Sequence, residues 1–165
     1  MKVVVVSDTH MPRKAKHLPT ILKRDLEDCS FIIHAGDWQT IELYHELKQY
    51  APAIGVTGNV DGPELKSLLK SKELFIAGDF RIGIVHGHGT GKTTEKRAID
   101  AFADDAVDCI IYGHSHIPVL KENNGVIIFN PGSPTDKRRQ KEFSYGILTI
   151  GEKIEAKHIF FEDKQ

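Results

Sequence analysis

Five short apolar runs in this chain each lead into a residue type that can hold a metal ion. Lys2–Ser7 is followed by Asp8-Thr9-His10, and Phe31–Gly36 by Asp37. Ala53–Gly58 leads to Asn59, Ile82–Val85 to His86, and Cys109–Gly113 to His114-Ser115-His116. Runs of this length, rich in Val and Ile and closed by Gly or Ser, read as buried strands. In open α/β sheets, ligands gather outside the carboxyl ends of the strands. Three carboxylate or amide oxygens and four imidazoles, all at such ends, point to one metal centre.

Length and charge narrow the classes. The 165 residues suit one domain spanning 1–165, with a core that needs no staples. A net charge of -1 exerts no bulk pull on nucleic acid or anionic membrane, which argues against both as partners. Cys29 and Cys109 both start apolar runs and read as small core residues, not a disulfide framework. No apolar run approaches the ~18 residues of a membrane span. The chain starts directly on a strand, so the expectation is a soluble protein of a reducing cytoplasm. Its oligomeric state, including a homo-oligomer, stays open.

Helical patterns separate the first strands. Thr20–Asp28 carries Ile21, Leu22 and Leu26 on one side, and Thr40–Tyr50 carries Ile41, Leu43, Tyr44 and Leu47 until Pro52 stops it. Pro63 opens a short helix through Leu69, and Thr94–Ala103 makes the last one. Gly78-Asp79 joins two apolar runs as a hairpin turn. From Ile117 onward Val119-Leu120, Val126–Phe129, Tyr145–Ile150 and Ile154–Phe161 read as strands divided by turns. The first half alternates strand and helix, and the second is mostly antiparallel. Two sheets packed face to face with helices outside accommodate both.

The donor mixture restricts the chemistry. Asp8 and His10 lie two apart, so in extended geometry both side chains point the same way, and His114 and His116 repeat that spacing. Carboxylate, amide and imidazole together suit Mn²⁺, Fe, Zn²⁺ or Ni²⁺ with room for water. Seven ligands are too many for one ion with an open position, but they serve two ions that share one carboxylate. Two metals ~3.5–4 Å apart stabilise in-line displacement at phosphorus and lower the pKa of a bound water toward ~7. The residues alone therefore suggest a binuclear metal hydrolase acting on a phosphate ester.

Asp8-x-His10, Gly36-Asp37, Gly58-Asn59, His86-Gly87 and Gly113-His114-x-His116 resemble, in order, the motif set of the calcineurin-like metallophosphoesterases. The resemblance covers nearly the whole chain. Its small size, Gly58-Asn-Val-Asp61 and Asn130-Pro-Gly-Ser133 look like the compact bacterial and archaeal phosphodiesterase branch. The resemblance implies an α/β fold, a four-layer αββα sandwich. It also implies two divalent ions, Mn²⁺ first, with Ni²⁺, Zn²⁺ or Fe as alternatives. Asp8, His10 and His116 would hold one ion, Asn59, His86 and His114 the other, with Asp37 bridging. A water or hydroxide between the ions would then attack phosphorus in line, and Asn59 would also contact substrate.

One position departs from the family. Larger members carry a histidine directly after the asparagine, where it protonates the leaving group or contacts phosphate; here Val60 stands instead. A missing general acid typically costs ~10²–10⁴-fold with poor leaving groups. Activity is accordingly expected to favour good leaving groups such as aryl phosphodiesters. His88, and behind it Asp61, are the candidate replacement acids.

Other features have plainer readings. Gly87–Thr93 is one residue short of a phosphate-binding P-loop when counted from Gly87, and His86 already has a metal role. A flexible lip over the site, with Lys92 near substrate phosphate, is the milder alternative. His34 reads as a hydrogen-bonded core histidine, and His17, His45 and His158 as surface residues. Trp38 reads as packing, with a wall of the substrate cleft as the alternative. Asn130–Ser133 is either a tight turn or a brace for the Gly113–His116 loop. The basic run Asp136–Lys141 is a solvated loop unless it steers an anionic substrate. The function expected is a phosphodiesterase acting on a small-molecule phosphate ester. A nuclease or cyclic-nucleotide hydrolase is an alternative within the same chemistry. A protein-interaction scaffold of the same fold, as in the retromer subunit resembling this branch, is another. All seven ligand positions hold usable types, which favours catalysis.

Overall fold

A computed structural model describes all 165 residues. Ten strands form two five-stranded sheets. The first sheet contains β1 (Lys2–Val6), β2 (Phe31–His34), β3 (Ala53–Gly55), β9 (Phe143–Ile150) and β10 (Ile154–Phe161), in the order β10-β9-β1-β2-β3. The second contains β4 (Lys72–Ala77), β5 (Phe80–Val85), β6 (Cys109–Ile111), β7 (Val119–Asn123) and β8 (Val126–Asn130), in the order β4-β5-β6-β8-β7. In the first sheet β1, β2 and β3 run parallel. In the second, β5, β6 and β8 run parallel. Both sheets are mixed because hairpins close them: β9–β10 in one, β4–β5 and β7–β8 in the other.

Strand alternation divides the core into layers. Along β1, Val3 and Val5 face inward against the other sheet, meeting Ile82, Ile84, Cys109, Ile111 and Phe129. Val4 and Val6 face outward, beneath Leu22 and Leu26 of α1 (Thr20–Leu26), Leu43 and Leu47 of α2 (Ile41–Lys48), and Leu65 of α3 (Pro63–Leu68). Across the molecule, Ala98 of α4 (Thr94–Ala101) and the adjacent Phe102 cover Ile110, Tyr112 and Ile128. The result is the expected αββα order. All four valines of β1 are buried, and each contributes roughly 1.5–3 kcal/mol relative to exposure. Cys29 and Cys109 are both free thiols, as their apolar settings suggested.

Strands end earlier than their apolar runs. β3 stops at Gly55 and β6 at Ile111, so Thr57-Gly58 and Tyr112-Gly113 belong to the loops that carry donors. His158, expected on the surface, is half-buried instead: its ring stacks on Phe129 at 4.6 Å and its Nε2 pairs with the Asn130 carbonyl at 2.7 Å. The reason is its cross-strand neighbour, Gly146, above which Phe129 lies so closely that a Cβ would stand 2.3 Å from its ring. No helix is long and apolar enough to cross a membrane.

Candidate metal centre

β1 and β2 continue their alignment past their ends. Asp8 N donates to the Gly36 carbonyl, His10 N to that of Asp37 and Met11 N to that of Trp38, each at 3.0 Å. The second sheet does the same where Gly113 N donates to the His86 carbonyl at 3.0 Å. These loops bring donors from both sheets to one place. The ligand atoms of Asp8, His10 and His116 lie within 4.8 Å of one another, and so do those of Asp37, His86 and His114. Each set takes residues from both sheets.

The backbone there is not extended. Asp8 (φ 57°), His10 (45°), Asp37 (59°), His114 (69°) and His116 (61°) all occupy the left-handed region. The extended geometry expected for Asp8-x-His10 and His114-x-His116 is therefore corrected. In each pair two left-handed residues flank a third, and that turn sends both side chains inward. Asp and His visit this region more readily than most residues, though conformations of this kind still cost of order 1–3 kcal/mol each.

The donors are oriented by protein groups that can only accept or only donate. His86 Nδ1 lies 2.7 Å from the Ala35 carbonyl and His116 Nδ1 lies 2.6 Å from that of Asp136. A carbonyl only accepts, so each Nδ1 carries a proton and each Nε2 is turned inward. There His86 Nε2 meets Asp37 Oδ2 and Asn59 Oδ1, both at 3.2 Å, and His116 Nε2 meets Asp8 Oδ1 at 3.4 Å. Asp8 Oδ2 is occupied by Ser7 Oγ (2.8 Å) and His114 N (2.9 Å), and Asp37 Oδ1 by Val60 N (3.0 Å). Asp8 Oδ1, His10 Nε2 and His116 Nε2 are buried without a hydrogen-bond partner. Asp8 Oδ1 and His116 Nε2 turn electron pairs toward each other, and a cation between them resolves the conflict. The residues fit two divalent ions.

Titration follows the same electrostatics. Burial opposes charge on Asp37, yet the His86 imidazole beside it pulls its carboxyl well below the usual range. Burial likewise opposes charge on His86, and the Asp37 and Asp8 carboxylates override it and raise its pKa. Asp8, fully buried, is pushed up to about 6 by desolvation, with His86 opposing. Burial and then His86 lower His114 to about 4, which leaves the neutral imidazole that ligates metals. Burial also lowers His10 and His116.

Supporting residues surround the donors. Asp61 is buried and accepts the N–H groups of Asp37 (3.0 Å), Gln39 (2.8 Å) and Gly58 (2.7 Å). It holds the Asp37 and Asn59 loops together, and with its oxygens so engaged it is not the replacement acid. His34 stacks on Trp38 at 3.8 Å, accepts Gly36 N–H at Nδ1 and donates from Nε2 to Thr9 Oγ1 at 2.9 Å, as a core histidine should. Trp38 is fully buried, and its Nε1 donates to the Val56 carbonyl. Asn130-Pro-Gly-Ser133 is a brace: Asn130 Nδ2 donates to the Gly113 carbonyl, and Ser133 Oγ donates to that of Asp8. Thr135, which the motifs did not single out, adds a 2.6 Å bond to the Thr9 carbonyl.

Two expected residues stand elsewhere or stand apart. Lys92, expected near substrate phosphate, has its Nζ paired with Asp100 of α4 at 2.6 Å. The glycine loop is also less free than a lip: Arg97 Nε donates to the Gly87 carbonyl at 2.8 Å, and the same guanidinium bonds the Lys92 carbonyl. No short motif announced Arg97. His88 stands at the edge of the second set, its ring 5.4 Å from that of His86 and 6.3 Å from that of His114. Burial, and then His86, lower its pKa. Asn59 and Val60 are both exposed at the mouth.

Known proteins share both sequence and fold with this chain. The profile described as the calcineurin-like phosphoesterase superfamily domain matches residues 1–153. A probable metallophosphoesterase of Methanothermobacter thermautotrophicus is 33% identical over 96% of this chain and 92% of its own length. A phosphodiesterase of Methanocaldococcus jannaschii is 32% identical over 98% and 100%. Among solved structures, that of an archaeal phosphodiesterase covers 98% of this chain and 100% of its own, with a TM-score of 0.75 and 27% identity. Zinc-complexed Vps29 of Entamoeba histolytica covers 97% and 99%, with a TM-score of 0.77; at 23% identity that likeness concerns the fold alone.

Proposed function

The chain belongs to the calcineurin-like phosphoesterase superfamily, and we propose that within it this protein is a binuclear metal-dependent phosphodiesterase. The observation that carries the reading is Asp37. Its Oδ2 lies 3.6 Å from His10 Nε2 and 3.2 Å from His86 Nε2, so one oxygen faces both donor sets. Asp8, His10 and His116 hold the first ion in this reading. Asn59, His86 and His114 hold the second, and Asp37 serves both. Two divalent ions placed there supply Lewis acidity to a phosphoryl oxygen and make a nucleophile of water near neutral pH.

The chain's own residues do the rest. Val60 N–H and Asp61 hold the Asp37 loop rigid, which keeps Oδ2 aimed between the sets. Asn59, exposed at the mouth and 3.2 Å from His86 Nε2, would offer its amide to an ion and to a substrate phosphoryl oxygen. The Val60 side chain has no proton to give a departing alkoxide. Rates should therefore fall steeply as leaving-group pKa rises. His88 is a further imidazole at the mouth, 5.4 Å from the His86 ring, and is placed to contact substrate or its leaving group.

The test is hydrolysis of bis-p-nitrophenyl phosphate and p-nitrophenyl phosphate by metal-stripped protein. Mn²⁺, Ni²⁺ and Zn²⁺ are added back singly, with Asp37→Asn as control. Metal-dependent diester turnover that the substitution abolishes is expected, with Mn²⁺ first. Two ions bound per chain with no turnover of either ester would overturn the reading.

A further inference from the structure

Beside the first donor set lies a cleft of about 480 Å³ whose walls include His10, Arg13, Lys14, Gln39, Asp136 and Arg138. His10 belongs both to the cleft and to the donor set, so the cleft opens directly onto the first donor set. Three cations there face one carboxylate. Lys14 Nζ stands 3.9 Å from Asp136 Oδ2 and takes up part of that charge. The Arg13 and Arg138 guanidinium groups make no hydrogen bond or ion pair within the protein; Arg13 is tied down only through its backbone N–H, to Gln39 Oε1 at 3.3 Å.

The backbone supports a constructed site. Gln39 (φ 92°) and Arg138 (φ 48°) both occupy left-handed conformations that cost free energy for a residue with a Cβ. Asp61 enforces the first by accepting Gln39 N–H at 2.8 Å. Asp136 anchors the loop before Arg138, since its carbonyl accepts from His116 Nδ1 and its N–H donates to Ser133 Oγ at 2.8 Å. The loop that orients a metal-ligand histidine thus also presents an arginine to the cleft. A planar guanidinium fork matches phosphate in a bidentate way that an ammonium does not.

We propose that this cleft is an anion subsite, and that the substrate is a phosphodiester bearing a second, non-reacting phosphate gripped by Arg13 and Arg138. The inference rests on the phosphodiesterase reading and narrows its substrate class. Val60, which also lines the cleft, leaves room there for the part of the substrate linking the two phosphates.

Two measurements test it on Mn²⁺-loaded protein. The first compares kcat/KM for thymidine 5′-(p-nitrophenyl phosphate) with and without a 3′-phosphate. The second compares binding of thymidine 3′,5′-bisphosphate and thymidine 5′-monophosphate by calorimetry. The added phosphate should improve both by roughly tenfold. Arg13→Gln and Arg138→Gln should each remove most of that ratio, while Arg139→Gln, outside the cleft, keeps it. A ratio near one in the wild type, or one that survives both substitutions, overturns the subsite. If neither ester is hydrolysed but the bisphosphate still binds more tightly through the two arginines, the subsite stands and the phosphodiesterase reading falls. If the esters are hydrolysed at equal rates, the subsite alone falls.

Discussion

At the residue scale, the centre depends on contacts too close for any side chain but the native one. A Cβ on Gly113 would stand 1.9 Å from Ser7 Oγ and 2.6 Å from Asp8 Oδ2, and one on Gly58 would stand 2.1 Å from Asp37 Oδ1. Gly113→Ala should therefore push Asp8 out of place. The expected result is loss of ion binding at the first donor set in calorimetry, with the secondary structure retained by circular dichroism. Ser133 offers a gentler case. Its buried hydroxyl donates to the Asp8 carbonyl at 2.8 Å and accepts Asp136 N–H at 2.8 Å. Ser133→Ala should cost about 1–3 kcal/mol in denaturant unfolding. It should also weaken Mn²⁺ binding by roughly 10–100-fold, as losses behind a ligand usually do. Donor types and their spacing were legible at this scale, because Asp, His and Asn after an apolar run are chemically conspicuous. Their left-handed φ angles were not, because only surrounding loops force a residue into that region.

At the element scale, α4 shows how local chemistry redirects a charged residue. Thr93 Oγ1 caps it by accepting Lys96 N–H at 3.1 Å, while α1, α2 and α3 have no side-chain cap. Thr93→Ala is expected to cost ~0.5–2 kcal/mol by denaturant unfolding. Asp100 draws Lys92 and Lys96 to itself, each at 2.6 Å, so an exposed amine singled out by its place in the glycine loop is shared with a helix carboxylate. A second link ties β1, α1 and β9: Asp25 accepts Lys2 Nζ at 2.8 Å and the Tyr145 hydroxyl at 2.5 Å. Burial opposes the Asp25 charge, but these bonds win and hold its pKa below the ordinary 3.8. A depressed carboxyl pKa stabilises the fold above 3.8 and loses that effect as pH falls through the folded value. Asp25→Asn should thus be less stable than wild type near pH 7, and the gap should narrow below pH ~4. A gap independent of pH would mean that the network acts through packing alone.

At the scale of the whole molecule, the donor sets join the two sheets. Asp8, His10 and Asp37 follow strands of the first sheet, and His86, His114 and His116 follow strands of the second. Ion binding should therefore resist separation of the sheets. At Mn²⁺ a hundredfold above its Kd, one site adds about 2.7 kcal/mol. For a chain of this size that raises Tm by roughly 5–11 °C, reversed by chelator and much reduced in Asp37→Asn. A Tm unmoved by Mn²⁺ would contradict ligation across the sheets. The sequence by itself determined the αββα class and the identity of the donor-bearing loops, because hydrophobic period, turn residues and donor type are local properties. The tertiary structure alone decided sheet order, the inward turn of each Nε2, the service of Asp61 and Ser133 as braces, the burial of His158 over Gly146, and the placing of Arg13 beside Arg138. Those depend on strand pairing and on loop contacts between distant residues, such as Ser133 and Asp8, 125 positions apart, and no local pattern encodes them.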